Sequence, residues 1–160
     1  MPEGSSNTGF LARGGPWVVV QAVLMTAVLV LGPVCPASTP LGWGRGLLAL
    51  LLGLAGAWFG IAGVIRLGRS RTAYPRPLEE CQLVTDGIYG WVRHPLYTSV
   101  LALSLAWSAG WGSVAATIVT VGEGFFFLTK AKREEAWLRE RFDDYEAYSR
   151  KVKRFVPGLW

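Results

Sequence analysis

Histidine is almost missing from this chain: 160 residues hold one, His94, beside two cysteines, Cys35 and Cys81. A single histidine without paired Cys/His spacing leaves no basis for a zinc site, and no metal ligand is expected. Two cysteines make no disulfide framework, and the topology derived below puts them on opposite sides of a membrane. Acids are scarce too, 11 against 16 Lys and Arg, for a formal net charge of +5. That excess comes with no nucleic-acid-binding motif, and the basic residues cluster beside apolar runs. Nucleic acid is therefore excluded as the expected partner, and the charge reads as membrane-flanking. Scarcest of all is charge within the apolar stretches. Hydrophobic residues make up 51% of the chain and mean hydropathy is +0.33, more than a soluble domain usually carries.

The apolar runs follow one another closely. Residues 1–16 are rich in Gly, Ser and Pro without periodicity and are expected to be a flexible tail. Trp17–Val34 carries no charge. It is longer than the apolar part of a signal peptide and no clean cleavage site follows, so it is predicted as a first transmembrane helix (17–34) ending at Pro33 and Pro36. The turn segment CPASTPLGWGRG leads to a second span over 47–67. Gly46, Gly53, Gly56, Gly60 and Gly63 share one face of it, and Gly56/Gly60 form a small-xxx-small pair that lets another helix come close. Packing within the chain is the plainer reading of that stripe. A homodimer is the alternative, so the expected state is a monomer or a dimer through the second helix. The polar loop Gly68–Arg93 should be extended around Pro75 and Pro77 and turn at Asp86-Gly87. A third span over 96–109 gives about 21 Å of helix against about 30 Å of hydrocarbon. That shortness should draw its start, at His94, into the interface. Ser108–Ser113 reads as a tight turn before a fourth span over 114–130.

Of the 16 Lys and Arg, only Arg45 falls outside the segments that four such spans bring to one side. The positive-inside rule makes that side cytoplasmic. The expected fold class is all-α: a polytopic membrane protein of four transmembrane helices with both termini in the cytoplasm. Residues 17–160 would form one domain in a bacterial or archaeal cytoplasmic membrane. From Lys130 to Arg154, Leu138, Phe142, Tyr145, Tyr148, Val152 and Phe155 recur at three- and four-residue spacing. This predicts an amphipathic C-terminal helix, lying on the anionic leaflet or lidding a cofactor. Asp143, with Glu146 three residues on, could cap a bend in it.

The chemistry-bearing residues are few. His94, between Arg93 and Pro95 at a helix start, could satisfy exposed backbone groups or serve a site. Glu134-Glu135 would be ordinary on a solvated helix. Glu123 lies inside the fourth span, where an unpaired acid is costly. It precedes Glu134 by about three helical turns, so it either pairs with a neighbouring helix or lines a cavity running towards Glu134.

As a set, Leu83-Val-Thr-Asp-Gly-Ile-Tyr89, Arg93-His-Pro-Leu-Tyr97, Glu134-Glu-Ala-Trp-Leu138, then Phe142, Tyr145, Tyr148 and Val152-Lys-Arg-Phe-Val-Pro157 resemble the isoprenylcysteine carboxyl methyltransferase family. That family and the related phospholipid methyltransferases are small membrane enzymes using S-adenosyl-L-methionine. The resemblance covers about half the chain. Ser99 stands where members often carry glycine, and Phe142 and Tyr145 are one residue closer than in eukaryotic members. The resemblance implies a cofactor cradle of Gly87, Tyr89, Arg93, His94 and Tyr97 facing Glu134 and Glu135. It also implies a lipophilic or prenylated acceptor taken from the bilayer. A carboxylate is ionised without a base and a thiol needs little help, whereas an amine must first lose a proton. A carboxylate (isoprenylcysteine-like) or thiol acceptor is therefore favoured, with Arg154 orienting it and Glu123 the other candidate catalytic residue. A phospholipid N-methyltransferase is the nearest alternative. An NADPH-dependent enzyme like the sterol reductases shares the Arg-His-Pro element, but the glutamate pair fits the methyltransferases better. A non-catalytic four-span membrane protein is the remaining reading.

Overall fold

The computed structural model describes residues 14–68 and 82–158. The tail before residue 14, the stretch around Pro75 and Pro77, and Cys81 lie outside them. The described residues form helices α1 (Gly15–Val34), α2 (Trp43–Leu67), α3 (Pro95–Trp111), α4 (Val114–Arg141) and α5 (Tyr145–Lys151), with a 3-10 turn at Gly87–Gly90. By length and composition, α1, α2 and α4 can cross a membrane. At 17 residues, α3 is shorter, about 25 Å of helix. Val23, Leu54, Ile65, Ile118 and Phe125 are all exposed on the outside of the bundle, an apolar surface suited to lipid.

Glycine sets how α2 meets α3. A Cβ at Gly56 would stand 2.8 Å from Leu103 Cγ, one at Gly60 2.6 Å from Ser99 Oγ, and one at Gly63 3.0 Å from Leu96 Cδ2. Ser99 Oγ also donates to the Gly56 carbonyl at 2.6 Å. The stripe is thus covered by the chain's own third helix, and the helices approach closely because no side chain intervenes.

Three boundaries differ from those expected. Helix α3 continues to Trp111, so the turn to α4 narrows to Gly112 (φ 65) and Ser113. The Ser113 hydroxyl accepts from Ala116 N at 3.2 Å and donates to the Leu31 carbonyl on α1 at 3.0 Å. Helix α4 does not end at residue 130 but runs 28 residues to Arg141. Lys130 is buried and donates to Gln21 Oε1 on α1 at 2.6 Å, which lets the helix carry a cation inside the bundle. The bend at Phe142–Asp144 is present, but Asp144, not Asp143, occupies the cap position and makes no side-chain cap bond. Glu146 pairs instead with Arg139 and Arg150.

The continuous helix expected to Arg154 also does not form. Beyond Lys151 the chain leaves the helix and makes one isolated parallel bridge, Lys153 to Val92. Arg93 N donates to the Lys153 carbonyl (2.8 Å) and His94 N to the Arg154 carbonyl (3.1 Å). Phe155 then seals against Phe127 and Ala131 in a small core that includes Tyr97.

Candidate active site

The polar end of the bundle is assembled from four short pieces. Asp86 pairs with Arg66 at the end of α2. Gly87 follows at φ 57, a conformation glycine takes without strain, and the 3-10 turn buries Ile88 and Tyr89. After the pairing with the C-terminal segment, His94 becomes the residue preceding α3, with Pro95 opening the helix. Its carbonyl accepts from Tyr97 N and Thr98 N, while its side chain makes no cap bond. The ring turns to the glutamates: Nε2 lies 3.0 Å from Glu135 Oε1 and Nδ1 3.7 Å from Glu134 Oε2.

Glu135 is sealed from solvent and surrounded by cations. Arg93 reaches its Oε1 with Nε (3.1 Å) and Nη2 (3.0 Å). Arg154 donates from Nε to Oε1 at 2.8 Å and from Nη2 to Oε2 at 2.9 Å, and Arg139 adds a contact at 3.5 Å. The remaining Arg93 nitrogen, Nη1, donates to the Ser149 carbonyl at 2.6 Å and to that of Val152. One carboxylate therefore joins the start of α3, the end of α4 and the segment after α5. The hydrogen bond to Glu135 raises the Arg154 guanidinium above its ordinary value, against the lowering effect of its burial.

Glu134, the neighbour, faces a cavity. Its side chain is 25% exposed, and Tyr97 donates its hydroxyl to Oε2 at 2.9 Å. The Tyr97 ring stacks on His94 (centroids 5.3 Å apart) and on Phe127 (4.7 Å). Leu83, Val84, Leu138, Tyr145 and Tyr148 complete the walls together with Tyr89. Tyr148 donates to the Tyr89 carbonyl at 2.7 Å. The Tyr145 hydroxyl is buried and has no hydrogen-bond partner, so the wall holds a polar atom with unused capacity. Burial pushes all three of the phenols Tyr89, Tyr145 and Tyr148 up, which keeps them as hydroxyl donors at ordinary pH.

Of the residues singled out from sequence, Tyr89, Arg93, His94, Tyr97 and Glu134 line this cavity. Glu135 lies behind it, saturated by its cations. Gly87 sits beside Arg66, 3.5 Å from a built Cβ to Arg66 Cδ, where it shapes the loop. Arg154 is brought to Glu135 and does not line the cavity. Glu123 is also apart: it is buried on α4, with Phe127 and Lys130 on the same buried face between it and Glu134. Eleven residues of helix are about 16 Å, and Phe127, packed on Tyr97, closes the way. Tyr145, Tyr148 and Leu138, which belong to the family-like pattern but carried no assigned role in the site, also line the cavity. Their three- and four-residue spacing marks an apolar helix face, which fits a surface helix as well as a lid.

With this geometry in hand, two likenesses to known proteins bear on the chain. The family model for phospholipid methyltransferase matches residues 45–145. A protein-S-isoprenylcysteine O-methyltransferase of Schizosaccharomyces pombe is 38% identical over 77 residues, which is 47% of this chain and 33% of that protein. The match thus spans about a third of the yeast protein's length, and a eukaryotic relative adds nothing to the prokaryotic membrane expected above.

Proposed function

Because the chain belongs to the phospholipid methyltransferase family, we propose that the cavity beside Glu134 binds S-adenosyl-L-methionine and that the chain methylates a lipophilic acceptor. One observation carries this reading. A carboxylate left available by its neighbours and a buried hydroxyl without a partner, Tyr145, face one cavity walled by tyrosine rings. The residues suit that cofactor: Glu134 favours a cation and can accept from hydroxyl or amino groups, and aromatic faces attract a positive charge. When bound, S-adenosyl-L-methionine supplies a methyl already activated as a sulfonium, so little covalent work is asked of the protein.

The chain's residues position and exclude water. Tyr97 and His94 hold Glu134, Glu135 neutralises Arg93 and Arg154, and Phe155, Phe127 and Leu138 close the apolar side. In this reading α3 is the third and shortest of four spans, the cavity opens at the interface, and both chain ends lie in the cytoplasm by the distribution of Lys and Arg.

A carboxylate acceptor needs no base and a thiol only modest help, and the printed name of the yeast relative is in keeping with the first. A second reading, an amine-bearing phospholipid, has an observation in its favour. All three nitrogens of Arg93, the one arginine among the described residues that lines the cavity, are already hydrogen-bonded, and Arg154 is held by Glu135. Neither of these two arginines therefore stands ready to grip an acceptor carboxylate.

Calorimetry on the purified chain in detergent tests the proposal. S-adenosylhomocysteine should bind and NADPH should not. Glu134→Gln should weaken binding about tenfold or more, the worth of a charge-assisted hydrogen bond, and His94→Ala should do likewise by removing the ring that supports Tyr97, the donor to Glu134. Binding that survives Glu134→Gln intact would reject the site, and binding of neither cofactor would reject the function. Methyl-labelled cofactor offered with a prenylated cysteine, a lipid thiol and phosphatidylethanolamine then distinguishes the acceptors.

A further inference from the structure

A second cavity, of about 820 Å³, opens at the other end of the bundle. Its walls are apolar, with Met25 and Leu29 from α1 and Leu103, Trp107 and Trp111 from α3, and among the described residues Arg45 at the start of α2 is the single charged one lining it. The loop after α1 forms its rim, tied down where Ala37 N donates to the Trp111 carbonyl at 2.9 Å. Arg45 is poorly satisfied there. Its Nη2 reaches only the Thr39 carbonyl at 3.3 Å, and its Nε is buried with no hydrogen-bond partner. An unpaired buried guanidinium donor is costly, and an oxyanion is the group that relieves it best. Trp43, 86% exposed, opens α2 and Trp111, 39% exposed, closes α3, and tryptophan at helix ends marks the headgroup layer of a bilayer.

We infer that this cavity seats one anionic phospholipid of the surrounding membrane. Its acyl chain lies along Leu29, Leu103 and Trp107, and its phosphate rests on Arg45. An acceptor for the proposed transferase reaction is not the occupant, because a head held at Arg45 is the length of α3 away from Glu134. The inference needs the helices to lie in a bilayer but does not depend on the transferase chemistry. Gly110 offers an independent handle on the acyl part. It lines the cavity, and a Cβ built on it meets nothing within 4 Å.

Native mass spectrometry of the full chain in detergent, titrated with phosphatidylglycerol or phosphatidylcholine of equal chain length, reads the occupant directly. The expected result is one retained phosphatidylglycerol, preferred about fivefold over phosphatidylcholine, the bias one cation near a membrane surface confers. Arg45→Gln should erase the preference and Arg45→Lys should keep most of it. Gly110→Phe, checked for an unchanged helical circular dichroism spectrum and melting midpoint, should lose both lipids by filling the acyl cavity. Equal retention of the two lipids by the natural chain would overturn the inference. So would a preference unchanged in Arg45→Gln, or lipid retained by a folded Gly110→Phe.

Discussion

Glu123 and Glu135 lie on the same helix, about three turns apart, and both are fully buried. Their surroundings differ completely. Glu135 accepts from Arg93, Arg154 and His94 and touches Arg139. Neither oxygen of Glu123 has a hydrogen-bond partner, and the Ser104 hydroxyl is the polar group near it. Burial alone therefore does not mark function in this helix. Glu135 is a joint between three pieces of chain that would otherwise drift apart, and its saturation leaves Glu134, one residue earlier, as the acid with capacity to spare. Glu123 is a polar group the bundle tolerates.

The sharpest break of this comparison is Glu135→Gln. It removes the countercharge from two arginines that are mostly enclosed, with side chains 9% and 22% exposed. Stranding buried charge in this way costs about 3–5 kcal/mol. Thermal unfolding in detergent should show the loss, and cofactor binding should fall with it because Arg93 and His94 are released together. An unfolding midpoint equal to that of the natural chain would mean that the cluster is decorative.

The arginine–histidine–proline element and the glutamate pair were legible as partners in the sequence, through their resemblance to a family rather than through any local physics. Which glutamate faces the cavity was not legible. Adjacent helical residues point about 100° apart, and only the packing of α4 against α3 chooses between them. The helices themselves were readable because charge-free apolar runs leave little choice, but their ends were set by distant contacts. Lys130 looked like an exit from the membrane, yet Gln21, on the first helix, accommodates it inside. Val152–Phe155 continued an amphipathic period, yet the open N–H groups of Arg93 and His94 captured the carbonyls of Lys153 and Arg154. Arg154 meets Glu135 for the same reason, since its position follows from that pairing. Tyr145 and Tyr148 belong to the family-like pattern and to an apolar helix face, but no spacing rule says which buried phenol lacks a partner.

The opposite end of the comparison predicts a gain. Glu123→Leu keeps roughly the same volume and removes two unsatisfied oxygens, each of a kind that costs about 1–3 kcal/mol when buried. The variant should melt higher by an amount in that range and should bind S-adenosylhomocysteine as the natural chain does. A higher melting point together with lost binding would show that Glu123 is coupled to the cavity after all, and would restore it as a candidate catalytic residue.

The finest distinction is between a site held by ion pairs and one held by phenols, and pH separates the two. Burial raises Tyr89, Tyr145 and Tyr148, so they keep their protons in the folded chain where an unfolded chain begins to lose them near pH 10. Their contribution is fully present below about pH 10 and declines above it as the unfolded state sheds protons that the folded state retains. Each phenol adds a slope of about 1.4 kcal/mol per pH unit in that range. Melting curves from pH 8 to 11 should therefore be flat and then fall. Tyr148→Phe should make the fall shallower by one proton while also losing the hydrogen bond to the Tyr89 carbonyl, about 1 kcal/mol at neutral pH. Tyr145→Phe should flatten the slope equally with no loss at neutral pH, because its hydroxyl has no partner to lose. If Tyr145→Phe instead destabilises the chain at pH 8, that hydroxyl is engaged within the protein and is not the open donor on which the cofactor proposal leans.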